Sequence, residues 1–140
     1  TRNAQGYLLT KDSITYYHDH YISDARSDHD WRASPLLHPN LAQLPPALIL
    51  TAGYDPLRDE GIEYAQRLTQ AGSLATHISF ERQIHGFVLM GRVLDEANVA
   101  HGHVAVGELT VVEAIGDNVV YDAFNSPHGR FAQAPHQRFG

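Results

Sequence analysis

Two residues in this chain of 140 have the types and spacing for proton-transfer chemistry. Asp55 stands immediately before Pro56, and His85 stands immediately before Gly86, 30 positions further on. A carboxylate beside an imidazole accepts a hydrogen bond from one ring nitrogen and so fixes tautomer and orientation; the second nitrogen can then take a proton from a nucleophile. Each residue also has an ordinary use. Asp55 ahead of Pro56 suits a turn or a helix N-cap, and His85 ahead of Gly86 suits a polar loop. No nucleophile accompanies them. Ser13, Ser23, Ser27, Ser34, Ser73, Ser79 and Ser126 all lack the glycine frame of a G-x-S-x-G elbow, and the chain has no cysteine. His18-Asp19-His20 and His101-Gly102-His103 place imidazoles two apart, where a strand would turn them the same way. Neither pair has a third ligand at suitable spacing, so no metal and no cofactor are expected.

The elements that must position Asp55 and His85 follow from hydrophobic pattern. Ala47-Leu48-Ile49-Leu50-Thr51-Ala52 is an almost continuous apolar run, the pattern of a buried parallel strand, closed by Gly53-Tyr54-Asp55-Pro56. From Asp59 to Ala71, Ile62, Ala65 and Leu68 share one helical face, with Gly72 where a C-terminal cap belongs. Leu74, Thr76, Ile78 and Phe80 then alternate with Ala75, His77 and Ser79, which is strand periodicity. Strand, helix and strand at these lengths make a βαβ unit and predict a parallel sheet. Catalytic groups in such sheets collect beyond the carboxyl ends of the strands. Asp55 and His85 each lie just past one, and this joint placement favours a functional pair over two unrelated loop residues.

Upstream, Thr10 is a candidate N-cap for a helix on which Ile14, Tyr17 and Tyr21 recur at intervals of three and four. The stretch from Ser23 to Trp31 reads as a surface loop, and the prolines of 35–46 exclude a long helix. Downstream, a loop over 81–86 precedes a helix from Phe87 to about Ala100, which His101-Gly102-His103 is expected to break. Val104 to Val120 has scattered β-propensity, and 125–140 is polar, rich in His, Pro, Gly and Gln, and expected to be poorly ordered.

Composition narrows the functional classes. Hydrophobic residues make up 43% and charged residues 19%, as in an ordinary soluble globular domain. No run approaches the roughly 18 apolar residues of a membrane span. The net charge of −6 leaves no basic stripe for nucleic acid. The lack of cysteine excludes a disulfide framework and fits a reducing, cytoplasmic setting. The chain opens on Thr1 and its one methionine is Met90, so its start is expected to be processed or incomplete.

Several motifs, taken in order, resemble the hormone-sensitive-lipase-like family of bacterial α/β-hydrolase esterases. They are Gly6-Tyr7-Leu8-Leu9-Thr10, Asp19-His20-Tyr21, Ser34-Pro35-Leu36-Leu37, Leu44-Pro45-Pro46-Ala47, the run Thr51-Ala52-Gly53-Tyr54-Asp55-Pro56-Leu57-Arg58-Asp59-Glu60-Gly61, and Ile84-His85-Gly86-Phe87. The resemblance runs from about Gly6 to Ala100. It implies the C-terminal part of an α/β-hydrolase fold: a cap-region segment over 1–33, a catalytic acid/base βαβα unit over 34–100, and an atypical tail over 101–140. It implies hydrolysis of small-molecule carboxylic esters through a Ser-His-Asp triad, with Asp55 the acid, His85 the base, and Tyr17, Tyr21 and Phe87 near the substrate. The family's serine elbow and His-Gly-Gly oxyanion loop precede the aspartate in chain order, and this sequence holds neither.

The resemblance therefore predicts an isolated chain without activity that needs the missing N-terminal half as its partner. It also suggests a homodimer through the edge strand over 74–80. The family's alanine-rich last helix gives way near His101, and the preference for nine arginines over the single Lys11 suggests a GC-rich gene in which a frame change could run long. Two other classes compete: a binding or regulatory protein on a hydrolase scaffold, and a metal-binding module using the ten histidines.

Overall fold

The computed structural model describes residues 3–22, 29–105, 110–115 and 118–122. Helix α1 covers Lys11–Tyr21, strand β1 Ala47–Tyr54, helix α2 Arg58–Gln70, strand β2 Ala75–Ile84, helix α3 Asp95–Ala105, strand β3 Thr110–Ile115 and strand β4 Asn118–Asp122. Short 3-10 turns at Pro35–Leu37 and Phe87–Met90 precede β1 and α3. The strands form one sheet in the order β2-β1-β3-β4. Strand β1 runs parallel to both β2 and β3, and β4 is antiparallel to β3.

Central position explains the composition of β1. With strands on both sides and side chains covered on both faces, it has no surface on which a polar alternation would be useful. Leu48, Leu50 and Ala52 face one layer, packed with Phe87, Val88, Ala97 and Ala100. Ala47 and Ile49 face the other, packed with Leu41 and with Tyr64, Ala65 and Leu68 of α2. The sheet is thus sandwiched between α2 and the segment that carries the Phe87 turn and α3.

Most of the expected elements form, with differences at their ends. α2 closes with Gly72 at φ +84°, and the Ser73 N–H donates to Leu68 O at 3.0 Å. This left-handed cap needs a residue without a side chain. Thr10 caps α1, its hydroxyl accepting from Ser13 N at 3.2 Å. Strand β2 continues through Ile84, where a loop was expected from residue 81. The single helix expected from Phe87 to Ala100 is instead a 3-10 turn followed by α3. At Gly91 the chain folds back on α3: Asn98 Nδ2 donates to Gly91 O at 2.9 Å, and a Cβ on Gly91 would meet Asn98 Oδ1 at 2.9 Å.

Helix α3 then passes through His101-Gly102-His103 unbroken. One exposed interior glycine costs a helix only about 1 kcal/mol, and the burial of Ala97 and Ala100 on the sheet outweighs it. β3 and β4 lie where scattered β-propensity was read. Part of the expected surface loop (23–28) and all of 125–140 lie outside the described residues. No helix among the described residues is long and apolar enough to cross a membrane.

Ile49 has no exposed surface and Leu74, just before β2, is 67% exposed. Ile49→Ala is expected to cost about 2–5 kcal/mol in urea denaturation, whereas Leu74→Ala should change stability by less than about 0.5 kcal/mol.

Candidate active site

Asp55 leaves β1 at its carboxyl end, and His85 leaves β2 at the neighbouring carboxyl end. The two side chains meet there. His85 Nδ1 lies 2.8 Å from Asp55 Oδ2, with the side chains 12% and 7% exposed. The other carboxylate oxygen, Oδ1, accepts the Leu57 N–H at 2.8 Å. The turn and the pairing role therefore coexist in one residue: Asp55 caps its own turn with one oxygen and holds the imidazole with the other. With both oxygens acting as acceptors, the Nδ1 of His85 carries the proton, and Nε2 is the basic nitrogen of that tautomer. α2 begins at Arg58, two residues beyond the Pro56 start that an N-cap at Asp55 would give.

Strand register decides this encounter. From Ala47↔Ala75 to Ala52↔Phe80 each residue of β1 pairs with the one 28 positions later. Beyond a bulge, Tyr54 pairs with Ile84, 30 positions later. Extended by one residue, the first register would put Asp55 opposite Gln83 and the second puts it opposite His85. Because the shift is even, the facing of the side chains is retained, whereas a shift of one residue would turn His85 to the other side of the sheet. Gly53 sits at the bulge. A Cβ there would lie 1.9 Å from the Glu81 carbonyl oxygen, so only glycine admits the arch of β2. Gly86, at φ +74°, then turns the chain directly after His85.

Residues between Asn3 and Leu8 lie over this end of the sheet. Asn3 Nδ2 donates to Gly53 O at 2.9 Å, the Tyr7 ring lies 5.0 Å from that of Tyr54, and a Cβ on Gly86 would meet Leu8 Cδ2 at 3.6 Å. Asn3, Tyr7, Leu8 and Gly53 are not among the site residues expected from the sequence: Tyr7 and Leu8 carry only a motif resemblance, and Gly53, which closes the apolar run there, lies within β1. Tyr17 and Tyr21 are 65% and 60% exposed on α1, and Tyr17 packs edge-on against Tyr16. Phe87, expected near substrate, is a core residue at 1% exposure, stacked 4.8 Å from Phe80. Its 3-10 turn folds it under β1. The histidine pairs gather no metal site among the described residues.

On the α2 side of the sheet runs a polar chain. His77 Nε2 lies 2.9 Å from Thr51 Oγ1, Thr51 donates to Ser79 Oγ at 3.4 Å, and Ser79 donates to Glu81 Oε1 at 2.6 Å. Arg58 reaches Glu81 at 3.8 Å. Partial burial lowers the His77 pKa from the usual 6.5, with Arg58 adding to the shift and Glu81 opposing it.

Known proteins resemble this chain in sequence and fold. A family model described as the alpha/beta hydrolase fold matches residues 1–89. The chain belongs to the α/β-hydrolase family, as its motifs imply. It is 46% identical over 86 residues to carboxylic ester hydrolase LipN of Mycobacterium tuberculosis, a match covering 61% of this chain and 23% of that protein. It is 34% identical over 114 residues to ethyl acetate hydrolase of Pseudomonas putida, covering 81% of this chain and 34% of that one. Among solved structures, an α/β-hydrolase enzyme from the metagenome of Lake Arreo, Spain, superposes with a TM-score of 0.70 at 42% identity, over 74% of this chain and 32% of its own. The chain thus spans about a quarter to a third of the length of these relatives.

Two outcomes follow. Asp55→Ala strips the acceptor from a buried N–H and from His85, and should cost about 1–3 kcal/mol in denaturant unfolding for each group left unsatisfied. For His77, the folded state binds the proton less readily than the unfolded chain. Its stabilisation is whole above pH 6.5 and is lost as pH falls from there toward the lowered folded value. The urea midpoint should fall as pH is lowered below 6.5, and His77→Asn should make that fall smaller.

Proposed function

We propose that this chain supplies the acid and base of a carboxylic-ester hydrolase: Asp55 orients His85, and His85 serves a serine nucleophile that lies outside these 140 residues. The observation that carries the reading is the 2.8 Å contact between His85 Nδ1 and Asp55 Oδ2 at the rim of two adjacent parallel strands. The named activities of the relatives, carboxylic-ester and ethyl acetate hydrolysis, support the substrate class.

In the proposed reaction, Nε2 of His85 takes the serine hydroxyl proton as the oxygen attacks the ester carbonyl. The resulting imidazolium is stabilised by the Asp55 carboxylate and hands its proton to the departing alcohol. Water then enters by the same route: His85 accepts its proton, hydroxide adds to the acyl carbon, and the serine leaves reprotonated. The low exposure of both side chains strengthens their interaction by keeping bulk water from competing for it. No metal or redox group has a part in this sequence of steps. The cysteine-free composition supports a reducing, cytoplasmic setting.

A complementation assay tests the reading. The isolated chain is expected not to turn over a short-chain p-nitrophenyl ester. Mixed with a separately produced segment of a relative that carries the glycine-framed serine and the oxyanion loop, it should hydrolyse the ester. Asp55→Asn in this chain should then lower kcat on the order of 10⁴-fold, and His85→Ala at least as much. Complemented activity that survives His85→Ala would refute the assignment.

A further inference from the structure

We propose that Gly53 is a positioning residue for His85: its missing side chain admits the two surplus residues of β2, and that surplus brings the imidazole into register with Asp55. The inference rests on the acid–base assignment above but concerns how the pair is assembled.

The register carries the argument. Between Ala52 and Tyr54 β1 has one residue, Gly53, while between their partners Phe80 and Ile84 β2 has three, Glu81, Arg82 and Gln83. Those three must arch over the backbone at Gly53. The approach is so close that an added Cβ would fall 1.9, 2.5 and 2.7 Å from the O, C and Cα of Glu81, all of them backbone atoms that no side-chain rotation can move away. Gly53 has no register partner on β2, and its carbonyl accepts instead from Asn3 Nδ2 at 2.9 Å. Bulges of this kind strengthen local twist and re-aim the side chains that follow them.

Other contacts fasten the arch, but weakly. Arg82 pairs with Glu96 of α3 at 3.1 Å, and Arg58 of α2 reaches Glu81 at 3.8 Å. Arg82 is 86% and Glu81 63% exposed, against 34% for Glu96 and 21% for Arg58, and ion pairs with a solvent-exposed member contribute about 0.2–1 kcal/mol. The decisive element is therefore the steric allowance at Gly53. A side chain there leaves β2 to keep its first register through residue 83, with Gln83 opposite Asp55 and His85 carried two residues past it.

The test uses the full chain and reads the pair directly. In the unaltered protein, proton NMR should show the His85 Nδ1 proton far downfield, as expected of an imidazole bound to a carboxylate, and Asp55→Asn should remove it. Gly53→Ala should abolish the same resonance while the amides of Leu48 to Leu50 stay protected from exchange. Gly102→Ala, a glycine with nothing within 4 Å of its would-be Cβ, should leave the resonance in place. If Gly53→Ala does not fold, a Gly53→Ala chain that also lacks Arg82 and Gln83 decides the matter. Its β2 has no surplus to accommodate, so folding and the downfield proton should both return. Retention of the proton at its original position in Gly53→Ala, or failure of the shortened chain to regain it, would overturn the proposal.

The result is separable from the functional reading. Loss of the proton in Gly53→Ala alongside ester turnover that survives His85→Ala would leave the register mechanism standing and remove the hydrolase assignment. The converse pattern would do the opposite.

Discussion

The pairing of β1 with β2 is the constraint on which the site depends. Parallel neighbours bring their carboxyl ends to one rim of the sheet, but they do not by themselves bring any given two side chains together. That requires a defined offset between the strands, and here the offset changes from 28 to 30 within the ladder, at the point where β1 has its glycine. Upstream of the change the strands obey the demands of the core; downstream they obey the demands of Asp55 and His85. One ladder serves both because the adjustment is an even number of residues and so leaves the facing of the side chains intact.

The energetics of the unit are divided in the same way. Stability resides in the burial of β1 on both faces, against Tyr64, Ala65 and Leu68 on one side and Phe87, Ala97 and Ala100 on the other. Each ion pair around the rim has at least one partner open to solvent, and two of them are 3.7 and 3.8 Å long, so they contribute little. Asp55 contributes more than they do, because it satisfies a buried N–H and the imidazole at once, and a buried donor left without an acceptor costs more than a formed bond returns. The same carboxylate that organises the entrance to α2 also orients His85, so the helix start and the site are locked to each other.

Much of this was legible in the residues. The apolar run of 47–52, the helical face of Ile62, Ala65 and Leu68, and the alternation from Leu74 to Phe80 reported strand, helix and strand because each element buries one defined surface. Asp55 and His85 could be placed at strand ends for the same reason. What pattern did not reveal was set by contacts distant in sequence. Glu81, Arg82 and Gln83 have polar side chains that look like a loop, yet they continue β2, because the backbone space over Gly53 exists only once β1 is in place. The break between the Phe87 turn and α3 depends on Asn98 reaching back to Gly91. The resemblance implies a place near the substrate for Phe87. Its burial against Phe80 and the face of β1 is a consequence of the direction in which that turn folds.

The same geometry explains how the proposed acid–base pair can be assembled from the residues of this chain. Among the described residues, the groups that orient Asp55 and set the register of His85 include the Leu57 N–H, the glycine under the arch, the Asn3 amide that holds the carbonyl of Gly53, and the two layers that bury β1. None of these contacts requires a serine to be present. The direction of His85 and its buried carboxylate partner are therefore set by the βαβ unit together with Asn3 and the layer of Phe87 and α3, an arrangement suited to the base role proposed for it. A nucleophile presented at the same rim would meet a base already aimed, and the cost of ordering it would already have been met in folding the sheet.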